Sequence, residues 1–152
     1  MRLTPNFSLE QLTFSETAER ERIDNTPAAE IVDNLRRLAQ GLEQVQALTG
    51  FALEISSGYR CPELNARIGG ARTSQHTRGE AADFTCAGFG APQDVIKAIR
   101  DSAIEFDQCI LEYAKWVHIS FSAAPRGKLL TIYDPGEGYL DGLRDRDGRE
   151  IA

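Results

Sequence analysis

Apolar residues recur at helical spacing through Ile31, Leu35, Leu38, Leu42, Val45 and Leu48, and Gly50 closes the run. Ahead of it, Thr26-Pro27 has the chemistry of a helix start, a capping hydroxyl and then a proline whose missing N–H is of no consequence there. The pattern predicts the main core helix, and its stripe is structural. From Phe51 the period changes to two, which predicts a strand running to Ser56 and delivering Ser57-Gly58-Tyr59-Arg60 to its end. Pro62 to Ile68 reads as a short helix with Gly69-Gly70 beyond it, and Ser74 to Asp83 as a turn opening into a strand. Pro92 to Ser102 reads as a second helix burying Val95, Ile96 and Ile99. Phe106 to Glu112 and Trp116 to Phe121 then read as antiparallel strands joined at Tyr113-Ala114-Lys115, a turn that brings Glu112 back beside Trp116 and His118.

The two ends are less regular. Phe7, Leu9, Leu12 and Phe14 are short apolar pieces, and Ser8 stands three residues before Gln11, a capping-box spacing. This segment is expected to wrap the core like a lid. Leu129 to Tyr133 is expected to add an edge strand, and the last dozen residues to form a mobile tail. The fold class predicted is α+β, a small antiparallel sheet packed against helices. Residues 1–152 are expected to form a single domain, with 123–152 a weakly defined C-terminal extension.

Length and composition narrow the function. The 152 residues suffice for one buried core. A formal net charge of -6 argues against nucleic acid, which demands a basic footprint, and gives no general attraction to an anionic cell wall. The N-terminus has no apolar h-region, so a signal peptide is not expected, and no stretch is apolar enough to span a bilayer. Cys61, Cys86 and Cys109 are odd in number and lack C-x-x-C spacing, which predicts reduced, buried thiols. The aspartates of Asp145 to Gly148 lack the spacing of a calcium loop.

The chain has only two histidines, His76 and His118, each at a predicted strand end or the turn beside one. Two imidazoles and a carboxylate form one of the ligand sets of a catalytic zinc, with the fourth position left to water. His76, Asp83 and His118 would supply it, one Zn²⁺ per chain. A histidine and an aspartate seven apart are a weak pattern alone, and Cys86 is a lesser candidate better explained by packing.

The surrounding residues make the pattern specific. Ser56-Ser57-Gly58-Tyr59-Arg60, Asn65, Gly69-Gly70, the S-x-H-x-x-G-x-A-x-D run from Ser74 to Asp83, and Trp116-Val117-His118 occur in that order. Over residues 1–122 the sequence resembles the zinc D-alanyl-D-alanine carboxypeptidase family. Its relatives include the vancomycin-resistance D,D-dipeptidases, phage L-alanyl-D-glutamate endopeptidases and the hedgehog signalling domain. The resemblance implies a zinc peptidase of the small phage or prophage type, acting on peptidoglycan stem peptides. It further implies synthesis in a bacterial cytoplasm and action at the wall, reached through phage lysis or on a virion. A monomer is expected, with no nucleic-acid partner and no membrane insertion.

Peptide hydrolysis requires a general base near the metal. Many members of the family carry an acid three residues before the last histidine, where this chain has Lys115. Glu112, six residues before His118 as in the hedgehog branch, is the expected base, with Glu80 and Asp107 weaker candidates. Arg60 is expected to stabilise the tetrahedral oxyanion or clamp a terminal carboxylate. Ser74 and Gln75 are expected to bond the substrate amide, Trp116 to floor the cleft, and Asn65 to be structural. The activity expected is D-Ala-D-Ala carboxypeptidase; the alternatives are L-alanyl-D-glutamate endopeptidase or a zinc-containing binding module without hydrolysis.

Overall fold

Alternation along the strands separates the chain's apolar residues from its chemistry. Ala82 and Phe84, Cys109 and Leu111, and Val117 and Ile119 all enter one core cluster, while the residues between them, Asp83, Ile110, Glu112 and His118, lie on the opposite face. The computed structural model, which describes residues 1–152, has eight strands and five α-helices. In chain order they are β1 (Arg2–Thr4), β2 (Phe7–Ser8), α1 (Leu9–Thr13), α2 (Glu16–Glu21), α3 (Ala29–Thr49), β3 (Glu54–Ser57) and α4 (Pro62–Arg67). A 3₁₀ turn (Gln75–Arg78) leads into β4 (Ala81–Thr85), followed by α5 (Pro92–Arg100), β5 (Gln108–Glu112), β6 (Trp116–Ser120), β7 (Lys128–Ile132) and β8 (Leu140–Asp141).

The fold is α+β. It contains a small antiparallel sheet, β1–β2, and a larger one of six strands in the order β3-β4-β6-β5-β7-β8. The larger sheet is mixed, because β7 pairs parallel to β5 in the register Glu112↔Ile132. Helices α3 and α5 cover its apolar face with Leu35, Leu38, Leu42 and Val45, and with Val95, Ile96 and Ile99. Burying each such side chain contributes roughly 1.5–3 kcal/mol. Gly41 lets the α3 backbone meet the Phe121 ring, whose Cε2 lies 2.4 Å from where a Cβ would stand.

The structure departs from the sequence expectations at several ends. The core helix starts at Ala29 rather than at Thr26-Pro27, with no side-chain cap. Thr26 is instead part of a turn in which its backbone N–H donates to Asp24 Oδ1. The C-terminus of that helix is as expected, with Gly50 left-handed at φ 75° and donating to Gln46 O. Ser8 does cap α1, accepting from the Gln11 backbone N–H. The strand expected at Leu129 to Tyr133 forms but is not the edge, since β8 pairs outside it. The last dozen residues, expected as a mobile tail, are tied down: Leu143 is 1% exposed in the main core, Ile151 packs on it, and Arg144 and Glu150 bridge. No helix is long and apolar enough to cross a membrane.

Candidate metal centre

His76, Asp83 and His118 are brought together by two short-range devices. The first is the turn before β4. Ser74 Oγ accepts the His76 backbone N–H, and Gly79, left-handed at φ 71°, donates back to Gln75 and His76 carbonyls. The chain thus reverses directly into β4, with Asp83 on the face away from the core. The second is the antiparallel register of β4 and β6, in which Asp83 stands opposite His118. Directly opposed side chains share a face and lie within about 5.5 Å at Cβ.

The side-chain geometry follows. Asp83 Oδ1 lies 3.3 Å from His76 Nε2 and 3.0 Å from His118 Nδ1. The three possible ligand atoms all fall within 4.8 Å of one another. Ligands about 2.0–2.1 Å from a tetrahedral zinc are separated by roughly 3.3 Å, so the set fits the ion. His76 Nδ1 lies 2.7 Å from the Gly58 carbonyl oxygen, which fixes its N–H there and leaves Nε2 with a free lone pair. All three residues are buried, at 2%, 8% and 8% exposure.

Electrostatics also favour a cation. Burial pushes the Asp83 carboxyl up, but the two imidazoles outweigh it and hold it below the ordinary carboxylate range. Burial dominates at His76 and pulls it down, towards the neutral form that a metal needs. At His118 burial acts downward too, but the Asp83 and Glu112 carboxylates together leave it above the ordinary imidazole value.

Around this cluster stand the other predicted residues. Glu112 Oε1 is 3.5 Å from His118 Nδ1, and its Oε2 accepts from the Trp116 indole at 3.1 Å. Burial, with the Asp83 charge adding to it, pushes the Glu112 carboxyl up despite His118, Trp116 and Arg60. Lys115 sits on the hairpin turn, where its N–H donates to Glu112 O. Arg60 directs Nη2 towards Ser74 Oγ at 3.4 Å, and its buried Nε has no partner within the chain. Burial lowers its pKa, opposed by the nearby Asp83 and Glu112 charges. Arg60, Asp83 and Trp116 line a cleft of about 600 Å³ that continues to Phe14, Ile55 and Ile68.

Three expected residues are committed elsewhere. The Gln75 amide nitrogen donates to Asp107 Oδ2 at 2.8 Å, which ties it to the turn, while its Oε1 has no partner within the chain. Asp107 is 2% exposed and paired with Arg126 at 2.8 Å, and that pairing with Gln75 holds it at about 2. Glu80 pairs with Arg78 at 2.8 Å. Asn65 is buried and donates to the Ala71 carbonyl, in a structural position. Cys86 lies in the core with Sγ towards Thr49 and Phe51. Sequence reasoning missed the Gly58 carbonyl, although it stands inside the Ser56 to Arg60 motif.

A buried His-Asp-His cluster beside a cleft on an α+β sheet has the donor set of a zinc-dependent hydrolase. The family described as Peptidase M15 matches residues 5–120, most of the chain, and the protein belongs to that family of zinc metallopeptidases. No curated protein matches the chain.

Proposed function

We propose that the protein hydrolyses peptidoglycan stem peptides and acts as a D-alanyl-D-alanine carboxypeptidase. The observation that carries the reading is the pair of opposite charges at one centre. Glu112 stands 3.5 Å from His118, and Arg60, with an unpartnered buried Nε, stands on the cleft beside Asp83. His76, Asp83 and His118 would hold zinc, which when bound would supply Lewis acidity and lower the pKa of a bound water to about 7.

The chain's own residues do the rest. Glu112 accepts the proton of the attacking water and returns it to the leaving amine, a role suited to a carboxyl that burial holds above its ordinary value. The Trp116 indole holds its second oxygen, so the first faces the centre. Arg60 clamps the terminal carboxylate of the substrate or its developing oxyanion, a fork–carboxylate match that lysine could not reproduce. The wall is reached during phage lysis or from a virion.

A second reading, cleavage between L-alanine and D-glutamate, is favoured by the length of the cleft, which runs past Arg60 to Phe14 and Ile68. Purified protein is stripped with a chelator, restored with zinc and incubated with defined muropeptides. Mass spectrometry should show loss of one D-alanine from pentapeptide stems; loss of the stem beyond L-alanine selects the second reading. Muropeptides left unchanged by the zinc-restored protein would refute both.

A further inference from the structure

The family match ends at residue 120, yet the sheet continues through β7 and β8. Glu112 is in register with Ile132 on β7, and β7 pairs with β8 through Thr131↔Leu140. Tyr139, one residue before β8, therefore stands in line with Ile132 and Glu112. Thr131 is on the core face, fully buried, so Leu140 shares that side and alternation puts Tyr139 on the face that carries Glu112. Two strand spacings of about 4.8 Å separate the Tyr139 and Glu112 backbones, a gap that a phenol and a carboxylate reaching towards each other can close.

The loop that carries Tyr139 is shaped to present it. Gly136 N–H donates to Asp134 Oδ1, Glu137 N–H closes a turn on Asp134 O, and Gly138 is left-handed at φ 76°. Tyr113 anchors the other side, its N–H donating to Ile132 O and its ring edge-on to Trp116 at 5.4 Å. Tyr139 is 58% exposed, yet burial is the main cause of its raised pKa, with Glu112, Tyr113 and Asp83 adding to it. The phenol therefore stays protonated among those charges and is available as a neutral donor.

We propose that the β7–β8 connection forms the far wall of the substrate cleft, with the Tyr139 hydroxyl donating a hydrogen bond to the bound peptide across Glu112 from Arg60. The inference rests on the peptidase reading and extends it: the sheet order sets Arg60 after β3 at one side, Asp83 and His118 in the middle, and Tyr139 beyond Glu112 at the other. A peptide lying across the centre meets a cation on one flank and a neutral donor on the other. Residues 121–152 lie outside the family match, so this wall is built from residues beyond the matched ones.

Tyr139→Phe and Tyr139→Ala are compared with the wild type in the zinc-loaded protein. Loss of one hydrogen bond made equally to substrate and transition state should raise KM about tenfold and leave kcat nearly unchanged. Zinc content and melting temperature should not move, since the side chain is exposed. Wild-type KM in both variants would overturn the proposal. A second readout needs no turnover: the tyrosine-labelled protein is examined by NMR with Zn²⁺ and with Co²⁺, the Tyr139 signal being assigned by its loss in Tyr139→Phe. A paramagnetic shift of that signal is expected, and its absence overturns the placement. Should the wild type leave muropeptides intact, the peptidase reading fails on its own, while the cobalt comparison still decides whether Tyr139 borders the centre.

Discussion

Removing the Asp107 carboxylate should loosen the turn that carries His76. That carboxylate accepts from Gln75 Nε2 at 2.8 Å and from Arg126 Nη2, Nε and N at 2.8, 2.9 and 3.0 Å. Arg126 is the largest cause of the low Asp107 pKa, but its side chain is more than half exposed, so the worth of that ion pair to stability is discounted for solvent screening. Gln75 is different. It is buried, its Oε1 has no partner, and the bond to Asp107 is what satisfies its amide nitrogen. Asp107→Ala strands that amide at a cost of about 1–3 kcal/mol, so with the charged bonds a total near 3 kcal/mol is expected. A domain whose stability is on the order of 5–15 kcal/mol will register that clearly. The pH dependence has a definite sign. Asp107 is held at about 2 against an ordinary 3.8, so its contribution is fully present above the ordinary value and is lost as pH falls through about 2. Discounted for the screening of the exposed Arg126 partner, the shift corresponds to at most roughly 2 kcal/mol. Urea unfolding of chelated wild type and variant at neutral pH and in acid measures both quantities. A neutral-pH deficit below about 1 kcal/mol, or one that persists undiminished in acid, would refute the reasoning.

Three further outcomes are expected. Glu112→Gln should lower kcat by about 10²–10⁴ with zinc content unchanged, checked by metal analysis beside muropeptide release; full activity would remove Glu112 as the base. Because His118 sits above its ordinary value in the metal-free protein, zinc must displace its proton. Affinity measured by competition with a chelator should therefore rise with pH through the ordinary imidazole value and level off only above it, and a flat profile there would contradict this. Gly58→Ala places a Cβ 2.2 Å from the Leu12 carbonyl oxygen and disturbs the carbonyl that orients His76. It should cost about 1–3 kcal/mol of stability and weaken zinc binding, read by denaturation and by titration.

The parts of this molecule legible in the sequence are those set by local pattern. The α3 stripe and the β5–β6 hairpin are such patterns; the scarcity of histidine pointed to His76 and His118, while the family resemblance made the set with Asp83 specific and helped to single out Glu112, which stands 3.5 Å from His118. The start of α3 was missed because Ala28 has no side chain with which to signal a cap. The C-terminal segment misled for a different reason. Its composition is that of turns and charges, and it is held by a parallel pairing to β5 and by Leu143, neither of which leaves a periodic trace. Gln75 stands next to His76, and only the distant Asp107 determines where its amide goes.

The alignment of β4 with β6 has one more consequence. Val117 and Ile119 are fully buried on the side opposite His118, and Ala82 and Phe84 likewise opposite Asp83. Sliding either strand by a single position would push those apolar groups into water and hide both ligands among hydrocarbon. Misassembly that spares the body of the protein while spoiling its centre is therefore closed to this chain. Whatever fraction of molecules completes the sheet also arrives with the imidazole and carboxylate already abreast, waiting for an ion rather than built by one.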